Sequence, residues 1–165
     1  MADASSIRKA SSLGTANSPF YKGAIRFVGS QAYINSGTQW VGLGDRVISV
    51  PIASATEAVD QNVFVADKAY TVTAVQEVHS TAGTDAGTVT AALMKCTGTQ
   101  AASAGVAVTT APFNLKSTAN TVVTATLTAT AANKTLAAGD RLSLDFTGVQ
   151  TALTGAVVTI TLSPA

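Results

Sequence analysis

The sequence of 165 residues holds one cysteine, one histidine and one tryptophan, and only 12% of its residues are charged. The lone Cys96 excludes an internal disulfide and any cysteine-based zinc site, which need two or more thiolates at set spacings. With His79 as its single imidazole, the chain has no HExxH metal motif, and no GxSxG accompanies it to make a nucleophile and base pair. Soluble domains usually carry about 25% charged residues, so half of that points away from a free cytosolic enzyme and from a disordered polyelectrolyte. Ten Lys and Arg against nine Asp and Glu give a net charge of +1, too little to hold nucleic acid through its phosphates. No stretch approaches the roughly 18 to 20 consecutive apolar residues that cross a bilayer. The positive mean hydropathy of +0.32 comes instead from Ala and Val spread among Thr. The opening MADASSIRKASSLGTANS lacks the apolar run of a secretory signal, so export by that route is not expected.

What is present is unevenly distributed. Residues 1–50 hold Arg8, Lys9, Lys22, Arg26 and Arg46 against Asp3 and Asp45, a balance of +3, whereas residues 51–165 carry five basic and seven acidic residues. Phe20, Tyr21, Phe27, Tyr33 and Trp40 also fall in the first part. The reading is an N-terminal arm or attachment region over 1–50 and a β-domain over 51–165, with the change of character near Pro51. The first residues are Ser/Ala/Gly-rich and without period, as in a mobile arm, and AIRFVGSQAYIN supports short edge strands.

The second part reads as strand after strand. KAYTVTAVQEV (68–78), GTVTAALMK (87–95), TVVTATLTAT (121–130), RLSLDFTG (141–148) and GAVVTITLS (155–163) are rich in Val, Thr and Leu. In RLSLDFTG the period of two puts Leu142, Leu144 and Phe146 on one face and Arg141, Ser143 and Asp145 on the other. The last strand repeats the pattern with Ala156, Val158, Ile160 and Leu162 inward. Turn-formers separate the runs, and QNVFVA (61–66) and VAVTTAPFNL (106–115) bring the count to seven or eight strands. This predicts an all-β, antiparallel β-sandwich with an extended N-terminal arm and no amphipathic helix of ten residues. Its core is thin, which favours further burial by self-association or attachment to a larger surface.

The chemistry on offer is sparse. His79, where a strand runs into a Gly/Thr turn, reads as a solvated strand-end side chain without a role. VGLGDRV (41–47) starts like a dinucleotide-binding loop at Gly42 and Gly44, but Val47 takes the third glycine position and a turn is the better reading. Glu57 with Asp60, or Asp140 with Asp145, are the only carboxyl pairs resembling a glycosidase set. Asp140 instead fits a turn cap, and Asp145 shares a strand face with Arg141. Asp85 alone brings too little charge for calcium. Cys96 reads as a small buried apolar group, and the NKT sequon at Asn133 carries no weight without a secretory signal. No cofactor and no metal are expected.

The basic, aromatic arm is the most informative feature. Arg8, Lys9, Lys22 and Arg26 could contact phosphates with Tyr21 or Phe27 stacking on bases, but the cations are too dilute to favour this. Phe20, Tyr21, Phe27 and Trp40 could instead fill pockets on a protein partner while Arg side chains pair with its carboxylates, as in interface hot spots. The third alternative is that these residues simply complete the first strands of the sandwich.

The run TLTATAANKTLAAGDRLSLDFTGVQTALTGAVVTITLSP, with its motif L-x-x-G-D-x-L-x-L-x-F-T-G from Leu136, the charge-poor Ala/Thr/Gly body and the basic arm, resembles the capsid decoration or cement proteins of tailed bacteriophages. The resemblance covers residues 50–165 in style. It implies a jelly-roll-like sandwich that sits on the virion as a homotrimer, made in the host cytoplasm. The function expected is non-enzymatic: decorating and stabilising an assembled capsid by binding the lattice of the major capsid protein, with no nucleic-acid or membrane partner. The alternative is a receptor- or glycan-binding module of a head or tail fibre. Against it, the body offers only Phe64, Tyr70, Phe113 and Phe146 as aromatic platforms.

Overall fold

The computed structural model describes residues 9–10, 23–28, 31–35 and 40–165. The chain divides into two compact units, Met1–Asp45 with Ser163–Ala165, and Arg46–Leu162.

In the first unit, β1 (Lys9–Ala10), β2 (Ile25–Val28), β3 (Gln31–Asn35) and β4 (Trp40–Leu43) form one four-stranded sheet in that order. β1 runs parallel to β2, and the other two pairs are antiparallel. The Gly23 amide donates to the Asn35 carbonyl at 2.8 Å and the Asn35 amide to that of Ala24 at 3.0 Å, closing the β2–β3 hairpin at its open end.

The second unit is an all-β sandwich, as the alternation predicts. Its strands are β5 (Arg46–Ser54), β6 (Gln61–Val65), β7 (Tyr70–Val78), β8 (Thr90–Cys96), β9 (Val106–Ala107), β10 (Phe113–Asn114) and β11 (Val123–Thr124). The four-residue helix α1 (Ala131–Lys134), β12 (Thr135–Leu136), β13 (Arg141–Thr147) and β14 (Thr154–Pro164) follow. One sheet has the order β5-β14-β7-β11, with β12 also on β7; the other has β6-β13-β8-β10, with β9 also on β8. The antiparallel pairs β5–β14, β6–β13, β7–β11 and β8–β10 are nested, first strand with last and inward from there. Within this unit the strands therefore pair as in one long hairpin, and its two sheets pack against each other.

The core lies between the layers and includes Ile52, Leu93, Leu115, Leu136, Leu142, Leu144, Leu153, Ile160 and Leu162, all nearly inaccessible. Ala156, Val158, Ile160 and Leu162 of β14 point inward as the period of two requires. On β13, Leu142 and Leu144 are buried and Phe146 packs against the core, but Ser143 on the opposite face is buried as well. The short 3₁₀ turn Ala102–Ala104 packs over β13 and β8, so this outer face is covered rather than open to water.

β5 runs through Pro51, where the composition changes, and the second compact unit begins at Arg46. Proline is tolerated because β5 is an edge strand, whose outer side needs no amide donor. TVVTATLTAT and VAVTTAPFNL are mostly irregular, contributing two-residue strands and an isolated bridge between Thr109 and Leu127.

Candidate functional site

Of the eight residues expected to bind a partner, Arg8, Phe20, Tyr21 and Lys22 lie outside the described residues. Lys9, Arg26, Phe27 and Trp40 all fall on the four-stranded sheet. Residues directly paired across a sheet share a face. Lys9 pairs with Phe27, Phe27 with Ala32 and Ala32 with Leu43, while Ile25 pairs with Ile34 and Ile34 with Val41. One face therefore takes Ile25, Phe27, Ala32 and Ile34 and the register positions of Lys9, Val41 and Leu43. The other takes Arg26, Tyr33 and Asn35 and the position of Trp40, which pairs with Asn35. The expected set is thus brought onto one small sheet but split between its faces. The first face is strongly apolar, and Ile25 on it remains 50% exposed. β1 to β4 form a sheet of their own rather than the first strands of the sandwich, while Arg46 does join the sandwich, lying over the Phe64 and Tyr70 rings and 3.3 Å from Asp67.

The carboxylates are committed to structural contacts. Asp140 caps its turn, accepting from the Ala137 amide at 2.9 Å, and Glu57 accepts from that of Ala53 at 2.8 Å. Asp85 accepts from the Thr151 amide at 2.8 Å, and the described residues contain no cluster of three or more potential metal ligands. Burial first, then the charge of Asp60 and hydrogen bonding with it, hold Asp145 above the usual carboxylate range.

A cavity of about 290 Å³ is lined by Asp60, Asn62, Gln100 and Arg141 among others. Its polar groups are turned on one another. Arg141 donates to Asn62 Oδ1 at 3.3 Å and to the carbonyls of Gly98 at 3.1 Å and Gln100 at 2.7 Å. Gln100 Oε1 accepts from the Thr97 amide at 2.8 Å while its Nε2 donates to the Ala104 carbonyl at 3.3 Å. Asn62 Oδ1 also accepts from Ser143 Oγ at 2.8 Å. These bonds strap the 97–104 turn to β13, while Arg141 Nε is buried without a hydrogen-bond partner. The aromatics of the sandwich offer no platform either, since Tyr70 and Phe113 are buried and Phe64 and Phe146 pack against the core.

His79 overturns its expected place in solvent. It is fully buried, with Nδ1 2.9 Å from Glu77 Oε1 and Nε2 3.1 Å from the Ser117 carbonyl oxygen. Burial alternates through Tyr70 and Val72, then slips by one so that Val75 and Glu77 face inward. No simple period of two in the sequence marks that slip. Glu, His and Ser gathered together echo a hydrolase triad, but Nε2 donates to a carbonyl and is spent, and the ring reaches no surface. Cys96 is buried as expected, its thiol directed at the Ala101 carbonyl 3.5 Å away. Compared with models of known protein families, with curated proteins and with solved structures, the chain has no significant match.

Proposed function

We propose that the chain is a non-enzymatic virion structural protein that decorates and stabilises an assembled phage capsid by binding the lattice of its major capsid protein, as a homotrimer on the capsid surface. The observation that carries this reading is the separate sheet of β1 to β4, which gathers Arg26, Phe27 and the backbone position of Trp40 outside the sandwich while leaving Ile25 half exposed. Had these residues simply completed the sandwich, the attachment reading would have lost its basis. The nested strand pairs support a jelly-roll reading of the sandwich, since rolling up a doubled hairpin of eight main strands produces that topology. A clamp of this kind stabilises the lattice by binding only the assembled state, and several copies reinforce one another through effective concentration.

Co-sedimentation of the full chain with capsids tests the reading. Phe27→Asp and Arg26→Glu attack the two faces of the sheet separately, and each should weaken binding at least tenfold while the β-type circular dichroism is retained. Undiminished binding by both variants overturns the attachment role of the sheet.

A further inference from the structure

We propose that Glu77 and His79 form a proton-held latch, in which the single proton between His79 Nδ1 and Glu77 Oε1 keeps the connection from β10 to β11 closed on the end of β7. A carbonyl oxygen only accepts, so Nε2, 3.1 Å from the Ser117 oxygen, must carry a hydrogen. One further proton then lies in the 2.9 Å contact between Nδ1 and Oε1. On the oxygen it makes a neutral acid and imidazole, and on the nitrogen a carboxylate and imidazolium, so the pair is net neutral in both arrangements. Glu77 Oε2 is buried without a hydrogen-bond partner, a heavy cost for an ionised carboxylate, and this favours the neutral acid. Burial also pushes the Glu77 carboxyl above its ordinary range, against the opposing hydrogen bond and charge of His79.

Among the described residues, no other ionisable group competes at the pair. The connection brings only Lys116, whose Nζ is turned to the carbonyls of Asp85 at 2.6 Å and Gly87 at 3.3 Å. The Asp85 carboxylate faces the Thr151 amide, and β11 and β14 carry no charged side chain. Besides the ring, the connection is held by the Asn120 amide, which donates to the His79 carbonyl at 2.7 Å.

The pH window follows from proton counting. In the open state an exposed Glu titrates near 4.3 and an exposed His near 6.5. Between those values the open pair is carboxylate and imidazolium, with the same proton count as the closed pair, so closure is independent of pH. Above about 6.5 opening releases a proton, and below about 4.3 it takes one up, so the opening constant grows about tenfold per pH unit on either side.

Amide hydrogen exchange on the full chain, corrected for intrinsic rates, tests this at Asn120, with the Val108 amide, bonded to the Leu93 carbonyl at 2.9 Å, as a core reference. Asn120 should be less protected than Val108, with protection level between pH 5 and 6 and falling about tenfold per unit above 6.5. Glu77→Gln replaces the shared proton by a permanent amide hydrogen and should flatten that slope. A wild-type slope of zero up to pH 9, the same slope in the variant, or equal protection at both amides overturns the latch. Should the variant not fold, the two amides of the unmodified protein decide: protection at Val108 that falls with pH as steeply as at Asn120 overturns the proposal.

Discussion

The Lys95 ammonium lies 3.3 Å from the Asp140 carboxylate with both side chains largely buried, at 15% and 13% exposure. Lys95 also donates to the carbonyls of Ala132 at 3.1 Å and Thr135 at 2.7 Å, and Asp140 accepts from the Ala137 amide. The pair thus ties the segment from α1 to the start of β13 onto β8. Asp140→Ala removes the cap and the counter-ion together and strands a part-buried ammonium, so a loss of about 2 to 4 kcal/mol is expected. Asp140→Asn keeps the acceptor for Ala137 and should cost clearly less. Urea unfolding of the two variants measures the difference, and equal losses would show that the cap contributes nothing.

Asp145 gives the sandwich a dependence on pH with a defined sign. Its folded pKa is raised above the unfolded value, so the contribution of the neutral carboxyl is fully present below about pH 4 and drains away as pH rises through the raised value. Asp145→Asn keeps a neutral partner for Asp60 at every pH. The variant should melt at or above the wild-type temperature at pH 7, and the advantage should vanish by pH 3.5. A variant that melts lower at pH 7 by as much as at pH 3.5 would mean that folding does not raise the Asp145 carboxyl.

The layered fold was legible because β13 and β14 are long, alternate cleanly and sit mid-sheet, where the inward set must be apolar. β5 alternates as well, with Ile48, Val50 and Ile52 inward and Val47, Ser49 and Pro51 outward. It was hidden by Pro51, which breaks a central strand but not an edge. The two-residue strands β10 and β11 follow from tertiary pairing that a Thr-rich run does not announce. Lys9, Arg26, Phe27 and Trp40 were recognisable as a basic, aromatic set, but their division between two faces depends on register. The Glu77–His79 contact escaped for a different reason. Polar residues two apart on a strand normally read as solvent-facing, and only the slip in alternation after Val72 turns them inward.

Gly148 follows β13 at φ +86°, and a Cβ built there would collide with the Thr88 carbonyl oxygen. Backbone cannot yield as the end of a flexible side chain can, and left-handed φ adds its own penalty for alanine. Gly148→Ala should cost about 3 kcal/mol or more, opening the β8–β13 pair at Thr147 and Thr90. Thermal unfolding checks this, and a shift of less than a degree would mean that the turn rearranges freely.

Truncation from the N-terminus separates the two compact units. A chain beginning at Arg46 retains all of β5 and its pairing with β14 from Arg46–Leu162 to Ser54–Thr154. It should keep a cooperative thermal transition and its β-type circular dichroism. A chain beginning at Pro51 loses Ile48 and Val50 from the inward face and leaves Val158, Thr159, Ile160, Thr161 and Leu162 without their partners on β5. Burial of the two lost side chains is worth about 1.5 to 3 kcal/mol each, a large share of the 5 to 15 kcal/mol (roughly) by which domains are stable. The exposed edge of β14, with Ile160 and Leu162 behind it, should then drive aggregation. Equal melting temperatures for the two truncated chains would show that the first half of β5 is dispensable and that the sandwich closes without it.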